Sequence, residues 1–231
     1  MNDFTSKCST SVDGQKNCIY CSNKCVKNGS AYGKQRYLCK SCKRCFINTY
    51  DYNGYDPTIN NSIKEHLKEG CGIRSISRLL KISVTTVLRR IKKIAKGITK
   101  PIIAMGKEYE LDELCTYVRE KNNQLWVAYA IRKDTKEVID FAVGRRTNNT
   151  LKQITDTLIL SNAVKVYTDK LKQYGTLLPT SIHSTKRNGT NHIERKNLTL
   201  RTHLKRLSRR TICFSRSTSI LSACLKIYFW A

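Results

Sequence analysis

Three acidic residues, Asp112, Asp169 and Glu194, stand out in a chain that is otherwise strongly basic. From Lys186 to Arg216 the sequence carries ten Lys or Arg residues (186, 187, 195, 196, 201, 205, 206, 209, 210 and 216) and a single carboxylate, Glu194. Carboxylate oxygens are hard ligands of the kind Mg2+ prefers, and bases around them can hold the polyanion on which such a metal acts. The chemistry these residue types suggest is divalent-metal work on a phosphate backbone.

The composition agrees. With 43 Lys and Arg against 17 Asp and Glu, the formal charge is +26, and such an excess attracts nucleic acid through its phosphates without reading sequence. An anionic membrane surface is the rival partner. No apolar run reaches the length of a spanning helix, and the segment from Met1 to Asn17 is polar, without the apolar core of a signal peptide. The expectation is a soluble, cytoplasmic, nucleoid-associated prokaryotic protein. At 231 residues the chain accommodates one domain of ordinary size plus small modules.

Seven of the eleven cysteines (8, 18, 21, 25, 39, 42 and 45) fall in the first 45 residues. In a chain of this kind the clustering reads as metal binding rather than as a disulfide framework. Cys18-x-x-Cys21 and Cys39-x-x-Cys42, 17 residues apart, can place four thiolates on one tetrahedral Zn2+. Cys25 and Cys45 leave a different choice of four open. Four thiolates close the coordination sphere, so this zinc is expected to be structural, in a ribbon over 18–48 that follows a polar tail over 1–17. The bases Lys34, Arg36, Lys40, Lys43 and Arg44 offer only unspecific DNA contacts.

Beyond Tyr50, Tyr52, Tyr55 and Pro57, apolar residues recur at helical spacing: Ile59, Ile63, Leu67, then Ile73, Ile76, Leu79, Leu80 after Gly70 and Gly72, then Val84, Val87, Leu88, Ile91, Ile94 behind the capping Ser83. Three short helices with a tight turn at Lys81–Ser83 fit a helix-turn-helix over 57–97. Its last helix would offer Thr85, Thr86, Arg89, Arg90 and Lys93 to the major groove. An ordinary three-helix bundle with a basic face is the competing reading, and the charge of the chain favours DNA.

After Gly97 and Pro101 the hydrophobic period changes. Glu108–Val118, Leu125–Ile131 and Val138–Val143 read as strands, with polar turns at 121–124 and 133–136. Thr147–Leu160 reads as a helix, and Val164–Thr168 as a strand running into Asp169. A short helix then closes at Pro179, Ser181–Thr185 can form a fifth strand, and Asn191–Leu207 reads as a long basic helix carrying Glu194, Arg195, Lys205 and Arg206. Three hairpin strands, a crossover helix and further strands imply a mixed α/β sheet flanked by helices, in the order of a ribonuclease H-like domain, over 107–231. Ser217–Trp230 is expected as a final amphipathic helix packed on that domain, with a dimer contact as the second reading.

The run Glu110-Leu-Asp-Glu113, the stretch Tyr167-Thr-Asp169, and His192-Ile-Glu-Arg-Lys-Asn197 followed by Leu200-Arg-Thr-His203 resemble the transposases of the insertion sequence 1 family. The similarity extends over nearly the whole chain, with 24 residues between Asp169 and Glu194, the spacing of that family. Lys196 departs from it, where the family often has histidine. The resemblance implies a DNA transposase that binds the terminal inverted repeats of its element and acts on double-stranded DNA as a homodimer or higher oligomer. Asp112, Asp169 and Glu194 would hold two Mg2+ or Mn2+ ions for cleavage and strand transfer.

The residues themselves make the chemistry intelligible. Asp112 mid-strand, Asp169 at a strand end and Glu194 on a helix can converge on one sheet edge, where two ions would serve the attacking and leaving oxygens of an in-line displacement. Arg201 lies two helical turns past Glu194 and faces the same way, so it is expected on a phosphate, with His203 nearby on the same helix. Glu110 shares the strand face of Asp112 and is its more serious rival, whereas Glu113 points to the other face; the family resemblance selects Asp112. Asp169 can cap the helix after its strand as well. Glu194 could merely pair with Arg195 or Lys196, an exposed interaction worth only about 0 to 1 kcal/mol. A second zinc site from His183, His192 and His203 fits no zinc spacing. The competing functions are a DNA-binding regulator without catalysis and a divalent-metal nuclease that cleaves without joining.

Overall fold

The computed structural model describes residues 16–47 and 52–231, and the chain divides into two compact units, Met1–Tyr55 and Asp56–Ala231. The polar tail expected over 1–17 lies almost wholly outside the described residues, as does Tyr50. In the first unit, β1 (Cys25–Ala31), β2 (Lys34–Cys39) and β3 (Cys45–Ile47) form an antiparallel sheet in the order β1-β2-β3. Tyr32 and Gly33, at φ 53° and 71°, make the two-residue turn between β1 and β2, a geometry in which glycine carries no Cβ penalty. Buried Phe46 stacks on Tyr37 with ring centroids 5.8 Å apart. With the buried cysteines this patch is the unit's core, too small to hold a fold by apolar burial alone.

The second unit opens with α1 (Ile59–Lys68), α2 (Ile73–Leu79) and α3 (Val84–Gly97). Their buried residues, Ile59, Ile63, Leu67, Ile76, Val87 and Ile91 among them, are the periodic apolar positions of the sequence. Ser83 caps α3 by accepting the Thr86 N–H at 3.1 Å, and Lys81 takes φ 52° in the turn before it. Gly70 breaks the chain after α1 at φ 76°, and a Cβ there would collide with the main-chain oxygen of His203.

The sheet of this unit has the order β6-β5-β4-β7-β8, from β4 (Glu108–Val118), β5 (Glu120–Arg132), β6 (Val138–Gly144), β7 (Lys165–Tyr167) and β8 (His183–Ser184). β4, β5 and β6 pair antiparallel, and β7 and β8 join parallel. One face, with Tyr109, Leu111, Ala128 and Ala130, packs under α4 (Asn148–Leu160) and α5 (Lys172–Leu177). The opposite face, with Leu114, Val127, Tyr129 and Ile131, packs under α6 (Asn191–His203) and α7 (Thr218–Trp230). This alternation is the period-2 pattern that lets one strand serve two cores.

Three features depart from the expectations. The β4–β5 hairpin closes at Arg119, which sits at φ 68° and donates its N–H to Ser215 O, so the polar residues 121–124 belong to β5 rather than to a turn. α6 stops at His203 instead of running to 207. Arg201 Nη1 donates to Leu207 O at 3.0 Å and Thr116 Oγ1 to Arg206 O at 3.3 Å, drawing Lys205–Leu207 back as a 3-10 turn. Finally, α7 serves two cores. Ile220, Ala223, Cys224 and Ile227 join the α1–α3 cluster, while Leu221 and Leu225 join the sheet face. Stacking of Phe229 on Tyr129 and a 2.7 Å bond from Trp230 Nε1 to Val138 O fix its end. The helical segment and the sheet are therefore parts of one compact unit.

Candidate active site

The parallel pairing of β4 with β7 ends at Glu110 and Tyr167, two residues before Asp169. Among the described residues no strand pairs with β4 on that side from Leu111 to Tyr117. Side chains from both faces can therefore reach round the same open edge. Asp112 leans from the α6 face and Glu113 from the α4–α5 face, and with Asp169 they bring carboxylate oxygens within 4.8 Å of one another. A cavity of about 380 Å3 opens there, lined by these three acids together with Trp126, Arg146, Glu194, Asn197, Arg201 and Arg209.

Each acid is held differently. Asp112 Oδ1 accepts the N–H of Glu113 at 2.7 Å and Oδ2 accepts Asn197 Nδ2 at 2.6 Å. Asn197 in turn accepts the hydroxyl of Tyr129 at 2.8 Å. Burial, reinforced by the neighbouring charges of Glu113 and Asp169, pushes Asp112 up to about 6. Burial likewise raises Glu113, against the opposing pull of Tyr174 and Arg146. Asp169 is exposed, and its Oδ1 accepts the N–H of Leu171 at 3.0 Å, an Asx-type turn. The cap position of α5 is Leu171, which has no side-chain cap, so the capping role expected of Asp169 is not realised. Glu194, in the first turn of α6, accepts the hydroxyl of Thr190 at 2.9 Å. It shares the cavity but is not one of the three acids within 4.8 Å.

Glu110 does not reach this edge. Fully buried, it accepts the Ile193 N–H at 2.8 Å and bonds His192 Nδ1 at 2.6 Å, which pins the start of α6, and with it Glu194, to β4. Strand alternation put Glu110 on the face of Asp112; the helix N-terminus above it takes up its oxygens. Glu113 was set aside for pointing the other way, yet its longer side chain bends round the unpaired edge. Asn197, three residues past Glu194 and on the same helix face, is a further cavity residue that the sequence reading passed over.

Arg201 lines the cavity beside Arg209, and burial first, then Arg209, lowers its hold on a proton. His203 turns away. Two residues beyond Arg201 is about 200° round a helix, and its Nδ1 bonds Tyr228 OH on α7 at 2.8 Å. On α3, Thr85, Arg89 and Lys93 are exposed at four-residue spacing. Thr86 is instead buried, with its hydroxyl 2.9 Å from that of Ser83, and half-buried Arg90 reaches Asn60 Oδ1 at 3.5 Å. Arg195 and Lys205 are exposed, whereas Arg206 donates to Ser215 Oγ at 3.1 Å.

In the first unit the Sγ atoms of Cys18, Cys21, Cys39 and Cys42 lie within 4.8 Å of one another, with 3.6 Å from Cys18 to Cys42 and 3.4 Å from Cys21 to Cys39. Zinc–sulfur bonds of about 2.3 Å imply sulfur separations of about 3.8 Å in a tetrahedron, so the donor set fits Zn2+. The N–H of Cys42, directed at Cys39, holds that thiol down at about 6. Cys25 and Cys45 stay outside the cluster. Burial keeps Cys25 protonated, pushed up to about 12, and exposed Cys45 accepts Asn28 Nδ2 at 3.4 Å.

A mixed sheet with acids gathered at one strand edge, in a strongly basic chain, is an arrangement suited to metal-assisted work on nucleic acid. The chain belongs to the IS1 transposase family, whose model matches residues 107–229. It is 41% identical over 111 residues to the insertion element iso-IS1n protein InsB of Shigella dysenteriae, covering 48% of this chain and 85% of that protein. It is 35% identical over 111 residues to the insertion element IS1 protein InsB of Shigella flexneri, with the same coverage. Among solved structures it is similar to the HTLV-2 integrase catalytic core domain in complex with magnesium (trimeric form), at 12% identity, TM-score 0.34, and coverage of 54% of this chain and 86% of that one. It is also similar to a chain of the simian T-cell lymphotropic virus intasome in complex with PP2A regulatory subunit B56 gamma, at 14% identity, TM-score 0.38, covering 71% and 66%.

The acidic edge destabilises the metal-free protein. The folded state holds Asp112 at about 6 against 3.8 for an ordinary aspartate, so between those values the folded chain binds more protons than the unfolded one. Stability should fall by on the order of 2 kcal/mol as pH rises from about 4 to about 6. A divalent cation bound by the folded carboxylates would offset this. Thermal unfolding at pH 7.5 should give a higher Tm with Mn2+ than with EDTA, and Asp169→Asn should erase the difference; equal Tm values for wild type would contradict it.

For the first unit, purified reduced protein should contain one zinc per chain by elemental analysis. Cys39→Ser should lose that zinc and the protease resistance of 18–47, while Asp56–Ala231 keeps its fold. Zinc-free wild type with an intact ribbon would remove the assignment.

Proposed function

We propose that this chain is a DNA transposase that binds the terminal inverted repeats of its insertion sequence and catalyses metal-dependent strand cleavage and strand transfer. In this reading 107–231 is a ribonuclease H-like catalytic domain, 57–97 a helix-turn-helix that recognises DNA, and 18–48 a zinc ribbon that stabilises the amino-terminal region. The observation that carries the proposal is the convergence of Asp112 and Asp169 oxygens within 4.8 Å, in a cavity that Glu194 also lines.

The donor set suits a hard divalent cation: carboxylates gather, and one buried oxygen, Glu113 Oε1, has no hydrogen-bond partner. Asp112, Asp169 and Glu194 would hold two Mg2+ or Mn2+ ions. When bound, such ions activate an attacking oxygen and stabilise a leaving one in phosphoryl displacement. The chain's own residues supply the rest. Asn197 and the Glu113 N–H orient Asp112 through its two oxygens, and the Glu110 carboxylate fixes α6, so that Glu194 enters the cavity at a set height. Arg201 and Arg209 offer guanidinium groups to the scissile or adjacent phosphate, and exposed Arg195 and Lys205 extend the basic surface along the backbone. Of the α3 residues expected to face DNA, Thr85, Arg89 and Lys93 are the exposed ones and would reach base edges. Both element ends must meet for transfer, which favours a homodimer or larger assembly on DNA. The site of action is wherever the cell's DNA lies, as for a nucleoid-associated cytoplasmic protein.

Incubation with labelled element-end DNA, a target plasmid and Mg2+ tests this. Wild type should give joined product. Asp169→Asn and Glu194→Gln should bind the ends but lose cleavage and joining by at least about a hundredfold, as expected when a charged group that acts in the transition state is removed. Cleavage without joining would make the protein a nuclease; binding alone would make it a regulator; and near wild-type joining by Asp169→Asn would overturn the metal-site assignment.

A further inference from the structure

Glu113 sits in the cavity with no role in a three-acid site. Its side chain is 1% exposed, Oε2 meets Arg146 Nη2 at 3.2 Å, and Oε1 is buried without a hydrogen-bond partner. A buried carboxylate oxygen with nothing to accept from is costly, and such groups are ordinarily satisfied. Arg146 is similarly incomplete: its guanidinium lies over the Trp126 ring at 4.4 Å, and its Nε is buried without a partner. One ion pair thus leaves an unsatisfied atom on each side, at the lip of a cavity.

Resting on the transposase reading above, we propose that Glu113 is a fourth acidic ligand of the divalent-metal site, alongside Asp112 and Asp169. We propose further that Arg146 is its counter-cation in the metal-free protein and gives way to the metal. Three observations converge on this. Glu113 offers a carboxylate oxygen within 4.8 Å of one from Asp112 and one from Asp169. Its Oε1 makes no hydrogen bond of good geometry, the donor beside it being the buried Tyr174 hydroxyl, which is likewise without a partner. Its approach from the opposite strand face gives a cation donors on two sides, which Asp112 and Glu194, both on the α6 side, cannot supply by themselves. Arg146 is held in reserve by stacking on Trp126, an interaction that survives loss of the carboxylate contact. Once a cation takes Glu113, the guanidinium needs another anion, and the DNA phosphate entering the same cavity supplies it.

The test is Mn2+ binding to the full chain without DNA, measured by calorimetry. Glu113→Gln should weaken Mn2+ by about tenfold or more, at least the loss seen when a group supporting a metal ligand is removed, and Asp169→Asn should do the same. Arg146→Gln should tighten Mn2+ severalfold, because the competitor for Glu113 is gone; a merely structural ion pair would loosen the site instead. In the Glu113→Gln background the Arg146→Gln effect should vanish, which separates direct competition from a general change of field. Wild-type affinity in Glu113→Gln, with Asp169→Asn still impaired, would overturn this inference and leave the transposase reading standing. Absence of Mn2+ binding by wild type would overturn both. Should Glu113→Gln fail to fold, weaker binding by Arg146→Gln would by itself overturn the proposal.

Discussion

Everything at the candidate site depends on β7 stopping short. β4 runs to Val118 while its parallel partner ends opposite Glu110, and the unpaired stretch is where acids from two strand faces and a strand end meet. Elsewhere along β4 a neighbouring strand or a packed helix separates the faces. The gap also imposes a cost. Partly desolvated like charges lie close together, and Asp112 sits near 6 as a result. Such strain is normal where a site is built for a ligand that the polypeptide does not provide.

The surrounding structure answers that cost with positioning rather than neutralisation. Glu110 is spent on the first turn of α6, with its two oxygens taken by His192 and the Ile193 N–H. Tyr129 orders Asn197, which orders Asp112. α7 then clamps the face of the sheet carrying these groups, and its other side completes the α1–α3 core. The helical segment and the sheet consequently share one helix, and its packing runs without a break from α3 to the sheet face. Basic residues are abundant throughout the chain, yet among the described residues only Arg146 forms an ion pair with a carboxylate of the acidic cluster.

Much of this was legible in the sequence because periodicity reports burial. Ile59, Ile63 and Leu67, or Leu151, Ile154 and Leu158, are core positions wherever the segment ends up, and both triplets are buried as their spacing implies. The Cys-x-x-Cys pairs were legible from their spacing, which still left Cys25 and Cys45 as alternative ligands, and it is the sulfurs of Cys18, Cys21, Cys39 and Cys42 that meet. What periodicity could not report was the length of a neighbouring strand. Whether Glu110 or Glu113 reaches the edge depends on where β7 ends and on where the α6 N-terminus lies. Both are set by contacts far apart in sequence, and alternation alone pointed to the wrong residue of the two. The same limit explains His203, whose partner Tyr228 is 25 residues away, and Arg119, whose turn is tied to Ser215.

The most direct test of the central claim, that carboxylates from β4 and the end of β7 form one divalent-metal site, is anomalous diffraction from crystals grown with Mn2+. The account predicts manganese in the cavity, bonded at about 2.0–2.3 Å to oxygens of Asp112 and Asp169, with Glu194 facing the same ground. Manganese bound elsewhere on the chain, with Asp112 and Asp169 free of it, would contradict the account.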